Sequence, residues 1–186
     1  DTRRALDHMW SLQDEDGGWS AWLQCGWPPF ESDDHFGVTL AAVTAGILPQ
    51  SYRESAAAAA GIQRLRGWLR DHPPQNLHHK GMMLWAASGL DGVLDGVLDG
   101  VVDDETRQKW SRELFAAQRP DGGWRLVDVG AGKWKRPEDV AEKLLSDAYA
   151  TAFSIFALRQ AEIPVPYSHL TLPTLCSFLC SGARAG

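Results

Sequence analysis

The sequence has no long apolar run. No hydrophobic stretch reaches the ~18 residues of a membrane-spanning helix, so no transmembrane segment is expected. Positive charge is not in excess either: 18 Lys and Arg stand against 24 Asp and Glu, a net charge of −6. Nucleic acid is therefore excluded as a main partner, because phosphate binding needs clustered cations. Cysteine is scarce. Cys25, Cys176 and Cys180 form no zinc or thiol-redox spacing, and an odd count argues against a disulfide framework. Apolar–polar alternation of the strand type is missing, and no signal-peptide pattern opens the chain. Apolar residues still make up 44% of the 186 positions, enough for a substantial globular core.

What is abundant is tryptophan, with nine residues, and two of them end a repeated phrase. Gln13-Asp14-Glu15-Asp16-Gly17-Gly18-Trp19 returns as Gln118-Arg119-Pro120-Asp121-Gly122-Gly123-Trp124. Both read Gln-x-x-Asp-Gly-Gly-Trp, and such self-similarity marks an internal repeat. The glycines allow positive φ in a tight corner, and Asp closes such turns through its own side chain. Gln and Trp supply hydrogen bonds and a large apolar plate. The sequel repeats too. Aligning Asp34 with Asp147 sets Phe36 on Tyr149, Leu40 on Phe153 and Val43 on Phe156. The unit reads as helix, corner, loop, helix.

Six helices are predicted: 2–12, 34–48, 54–70, 77–88, 104–118 and 146–160. The first, third and fifth are amphipathic. The second, fourth and sixth are apolar or small nearly all round and should be buried. Leu6, Met9 and Trp10 share a face of the first; Ile62, Leu65 and Leu69 line the third, with Arg64, Arg66 and Arg70 outside. Pro49 is expected to stop the second helix, and His72-Pro73-Pro74 the third. Such alternation predicts an all-α protein, an α/α toroid fragment of about three helical hairpins.

Two stretches fall outside this pattern. Leu90-Asp91-Gly92-Val93 recurs twice in tandem to Val101; it lacks the spacing of a calcium loop and reads as an expanded connection. Residues 167–183 contain no Asp, Glu, Lys or Arg in a chain that is 23% charged. Residues 1–166 are therefore read as the repeat domain, missing the remainder of its own chain, and 167–186 as a tail foreign to the fold.

In a toroid the N-terminal ends of the inner helices gather at one rim. Here those ends carry Asp33, Asp34 and His35; His78 and His79; and Ser146 and Asp147. The loops with Trp22, Trp27, Phe30 and Trp134 enter the same rim. Acids and imidazoles within an aromatic wall make a candidate pocket.

The two corners resemble the QW motifs of squalene–hopene and oxidosqualene cyclases, and the pattern from Leu6 to Pro164 resembles their prenyltransferase/squalene-oxidase repeat. Those cyclases start the reaction with Asp-x-Asp-Asp, whose middle Asp protonates an alkene. Glu31-Ser32-Asp33-Asp34 matches that motif except for Glu in first place. The resemblance implies Asp33 as proton donor, with Glu31 and Asp34 as its catalytic neighbours. It also implies a substrate-binding wall of Trp27, Phe30, His35, His79, Trp85 and Tyr149. Protonating a carbon–carbon double bond needs a strong, positioned acid, and aromatic faces stabilise the resulting cation. The implied substrate is an apolar polyprenyl or triterpene molecule, with no cofactor and no metal; peripheral contact with a membrane is compatible with it. Ser32-Asp33-Asp34 is equally an ordinary helix start. Two other functions remain open: a non-catalytic α/α repeat used for binding, and a carbohydrate-active α/α barrel with paired carboxylates.

The tail carries the first test. Removing residues 167–186 should leave the thermal midpoint unchanged. A drop of more than about 5 °C, roughly 1 kcal/mol for a domain of this size, would show that it packs on the fold.

Overall fold

The structure, a computed structural model, describes residues 2–20, 34–88, 98, 101–130 and 146–161. These form eight helices and, among the described residues, no strand: α1 Thr2–Ser11, α2 Asp34–Gly46, α3 Gln50–Arg53, α4 Ala56–Asp71, α5 Leu77–Ser88, α6 Asp104–Ala116, α7 Leu126–Val129 and α8 Ala148–Gln160. The protein is all-α. No helix among the described residues is long and apolar enough to cross a membrane.

The periodic helices stand where the apolar spacing puts them, and the differences lie at their ends. α2 stops at Gly46, short of Pro49. Pro49 instead precedes the single turn of α3, which separates α2 from α4. Pro is well suited to a helix start, since its missing N–H is one that the first turn leaves unpaired. α7 was not expected; it is one turn held by its own Arg125–Asp128 pair at 2.6 Å.

α5 is the hub. It packs against α2 on one side, α8 on the other, and α6 behind, while α4 covers α2 and α1 covers α4. The central helices are accordingly the buried ones. In α5, Met82, Met83 and Leu84 are almost wholly covered, and in α2 so are Val38, Thr39, Ala42 and Ala45. α1, on the outside, buries Trp10 alone. Small residues let these helices approach. A Cβ at Gly81 would lie 2.7 Å from the Phe153 ring, and one at Gly61 would lie 2.3 Å from the Trp10 ring. Polar ties reinforce the layers. Lys80 Nζ donates to Glu113 Oε2 at 2.6 Å between α5 and α6, and the Tyr52 phenol donates to Asp7 Oδ1 at 2.7 Å between α3 and α1.

The two corners fold alike, bond for bond. Gln13 Nε2 donates to the Gly17 carbonyl at 3.1 Å, and Gln118 Nε2 to that of Gly122 at 2.8 Å. The Gly18 and Gly123 N–H groups donate to Asp16 Oδ1 at 2.9 Å and to Asp121 Oδ1 at 3.1 Å. Trp19 Nε1 reaches back to the Met9 carbonyl at 3.0 Å; Trp124 Nε1 reaches that of Leu114 at 2.7 Å. Asp14 N donates to the Gly18 carbonyl and Arg119 N to the Gly123 carbonyl, each at 2.9 Å. Gly17 and Gly122 take φ of 97° and 85°, in the left-handed region that suits glycine. The indoles of Trp19 and Trp124 are 4% and 0% exposed, so the plates are core.

Trp19→Ala and Trp124→Ala should each cost roughly 3–5 kcal/mol in urea melts, the range for a large buried aromatic. A loss below about 1 kcal/mol would show that the indoles do not carry the corners.

Candidate functional site

Three N-terminal helix ends come together. α5 is started by Asn76, whose Oδ1 accepts the His79 N–H at 2.8 Å. α8 is started by Asp147, whose Oδ1 accepts the Ala150 N–H at 2.8 Å. Its other oxygen accepts the Leu126 N–H, and its own N–H donates to the Trp124 carbonyl at 2.9 Å. The second corner thus sets the height of α8. Asp34 is the first residue of α2. The capping oxygens of α5 and α8 satisfy N–H groups that these helices leave unpaired.

The imidazoles are packed side by side. The His35 and His79 rings stack with centroids 4.2 Å apart and planes 8° from parallel. His79 Nδ1 accepts the Gln75 N–H at 3.3 Å, so a neutral His79 carries its proton on Nε2. Trp68 of α4 lies 5.9 Å from His35 and stacks in turn on His72 at 4.1 Å. His78 Nε2 shares a 2.9 Å hydrogen bond with the Tyr149 phenol, and its ring stacks on Phe153 at 4.5 Å. Burial pushes the Tyr149 phenol well above its ordinary value, with a smaller push from the Asp147 carboxylate. It stays neutral at any physiological pH.

From this polar end an apolar stripe runs along the three central helices. It occupies positions i, i+4 and i+7 of each: Phe36, Leu40 and Val43 in α2; His78, Met82 and Trp85 in α5; Tyr149, Phe153 and Phe156 in α8. That spacing lines one helix face. Phe36, Met82 and Phe153 are its buried seam, with Leu40, Trp85 and Tyr149 packed on it and partly open. The Trp85 ring meets Phe156 edge-on at 4.9 Å and 87°. Phe156 is 37% exposed, and Ile47, just past α2, is 51% exposed.

Five of the nine expected site residues are described. His35, His79 and Tyr149 gather at the helix ends, Asp34 is adjacent to His35 in the chain, and Trp85 lies two turns further along the stripe. Glu31, Asp33, Trp27 and Phe30 lie outside the described residues, as do Trp22, Trp134, the Asp-Gly-Val repeats and the tail. Sequence reasoning passed over Met82 and Phe153 as site residues, and over the Trp68–His72 stack. The i, i+4, i+7 spacing that links the first two was present. It was followed in two helices only, because α5 has no corner before it to set the alignment. Among the described residues no group of His, Cys, Asp and Glu is placed to hold a metal ion.

No family model, curated protein or solved structure matches the chain.

Corner and site meet at Asp121, whose Oδ1 accepts from Ser146 Oγ at 2.7 Å. That hydroxyl, then the Gly123 N–H, holds the carboxyl below the usual carboxylate range. A depressed value stabilises the fold above the unfolded-state value of about 3.9, and this stability is lost as pH falls through the folded one. Asp121→Asn should therefore lower the thermal midpoint at neutral pH, with the gap from wild type closing below about pH 4. An equal gap at pH 7 and pH 3 would show that the carboxylate charge plays no part.

Proposed function

We propose that the chain is part of an α/α toroid of the terpenoid-cyclase kind, which acts on an apolar polyprenyl or triterpene substrate. One observation supports this reading above the others: the shared stripe of α2, α5 and α8, half-covered and aromatic, with polar groups only at its N-terminal end. In a ring of such hairpins this face turns towards the central cavity. It offers a chain of isoprene units apolar contact and ring faces. Cations formed along that chain would meet the faces of Trp85, Tyr149 and Phe153.

In this proposal the reaction is acid-initiated. Asp33, at the head of α2 in the sequence, protonates a terminal double bond, with Glu31 and Asp34 as neighbouring acids and Trp27 and Phe30 closing the wall. His35 and His79 form the polar rim. The stripe includes no carboxylate among its nine residues, so a carbohydrate-active barrel, which needs two facing acids, draws no support from it. A non-catalytic binding repeat does draw some. Tyr149 is bonded to His78, His35 is stacked on His79 and Trp85 is set against Phe156, so these groups are already packed on one another.

The test is incubation of the full-length protein with squalene and shorter linear polyprenes, with products separated by gas chromatography and mass spectrometry. Cyclic product is expected from wild type and none from Asp33→Asn. Cyclisation by Asp33→Asn at the native rate would remove Asp33 from the mechanism. No cyclic product from any polyprene would leave the binding repeat as the better reading.

A further inference from the structure

Each corner contains an Asp-Gly bond, Asp16-Gly17 in the first and Asp121-Gly122 in the second. That pair is chemically reactive. The amide nitrogen of the glycine can attack the carboxyl carbon of the preceding side chain, since glycine has no Cβ to hinder a close approach. A C–N bond forms, the amide proton and the carboxyl hydroxyl leave as water, and a five-membered succinimide results. Water then adds to one of its two carbonyls. Opening at one restores Asp; opening at the other leaves isoaspartate, whose main chain runs through the side-chain carbons. Water is the only co-reactant.

The reacting groups are set alike at the two corners. Both glycines have positive φ, and both aspartates are exposed. The Gly17 N–H donates to the Asp14 carbonyl at 3.0 Å and the Gly122 N–H to that of Arg119 at 2.9 Å, so one such bond must open in either case. Each carboxylate also accepts the N–H two residues on. One thing differs. Asp121 Oδ1 takes a further hydrogen bond from Ser146 Oγ at 2.7 Å, whereas Asp16 accepts, among the described residues, from the Gly18 N–H alone. Where Ser146 stands against Gly123, the Trp68 ring stands against Gly18. Turning the carboxyl onto the glycine nitrogen therefore breaks one side-chain bond at Asp16 and two at Asp121. Ser146 also holds the Asp121 carboxyl below the usual range, which depletes the neutral acid that the nitrogen attacks.

We infer that Asp16-Gly17 is a site of spontaneous isoaspartate formation in the folded chain, and that the Ser146 hydroxyl protects Asp121-Gly122 from the same reaction. The product alters the first corner. Isoaspartate adds one carbon to the main chain just before Gly17. Gly17 lies against α4, where a Cβ on it would stand 2.2 Å from the Arg64 carbonyl oxygen, so the longer chain finds no room on that side. The bonds of Gln13 to Gly17, Gly61 and Arg64 then lose their register. The modified corner loosens from α4, while the second keeps its hold on α8.

The test is to incubate the intact chain at neutral pH in heavy-oxygen water, digest it and map the peptides by mass spectrometry. Electron-transfer fragmentation tells isoaspartate from Asp, and each passage through the succinimide leaves one solvent oxygen in the residue. Asp91-Gly92, Asp95-Gly96 and Asp99-Gly100 lie outside the described residues and are read separately in the same map. Label and isoaspartate at Asp16 are expected to exceed those at Asp121 about tenfold or more, the factor for one hydrogen bond to a charged group. In urea the two sites should react alike, because the difference lies in the fold. Ser146→Ala, checked by a thermal melt, should raise Asp121 to the level of Asp16; the wild-type comparison stands whether or not that variant folds. Absence of isoaspartate at Asp16, equal reaction at both corners of the folded chain, or an Asp16 excess that persists in urea would overturn the proposal. So would a folded Ser146→Ala chain in which Asp121 is still protected.

Discussion

The hydrogen bond from the corner glutamine to a glycine carbonyl four residues on is the constraint on which the rest depends. A chain leaving an outer helix must reverse in a few residues to begin the next element. Glycine at positive φ permits the reversal at little steric cost, but glycine also loses the most freedom on folding. The glutamine bond, the Asp turn and the tryptophan N–H offset that loss within one short segment. Each corner has all three in the same geometry. The indole then does two things at once: its N–H satisfies a carbonyl at the end of the preceding helix, and its ring fills the space beneath the turn.

A corner closed from within can be attached to different neighbours. The first leans on α4 through Gln13 and Trp68; the second leans on α8 through Ser146, Thr151 and Asp147. The second attachment reaches the candidate site directly. Trp124 and Leu126 hold Asp147, Asp147 starts α8, and the first turn of α8 presents Tyr149 to His78. The phenol is kept neutral by its burial and by that nearby carboxylate. A neutral hydroxyl can sit in an aromatic seam with one good hydrogen bond, where a phenolate would need a cation.

The fold class was legible because two periods were. Apolar spacing located the six main helices, and their alternation of half-wet with wholly apolar faces foretold which would be central. The Gly-Gly-Trp phrase located both corners, since its chemistry is local. The single turns α3 and α7 escaped notice because one helical turn has no period to read. The site was legible in part. His35, His79 and Tyr149 follow from helix starts, which are marked by caps and prolines. The stacking of Trp68 on His72 is made at the C-terminal end of α4, where the helical pattern breaks off, and the choice of Trp85 and Phe156 as partners depends on how far α5 and α8 slide along one another. That offset is set by the close approach of α8 at Gly81, and a helical pattern records which face is apolar but not which rung meets which.

The division of labour between corner and stripe bears on how such a chain acquires a function. Stability here is placed at the outer turns, in buried indoles and closed local bonds, and in the small-residue contacts between helices. The central face then need not be packed to completion, and it is not: Leu40, Trp85 and Tyr149 remain half-open and Phe156 more so. An incompletely covered aromatic face is costly for a domain that depends on it for its core. It is tolerable where Trp19, Trp124 and Leu65 carry the core elsewhere. Residues along the stripe can therefore change while the helices keep their places. The same reasoning explains why the polar groups lie at one end of it. There the Gln75 N–H serves His79, and His78 and Tyr149 serve each other, whereas one turn further along α5 and α8 the stripe meets only methionine and phenylalanine.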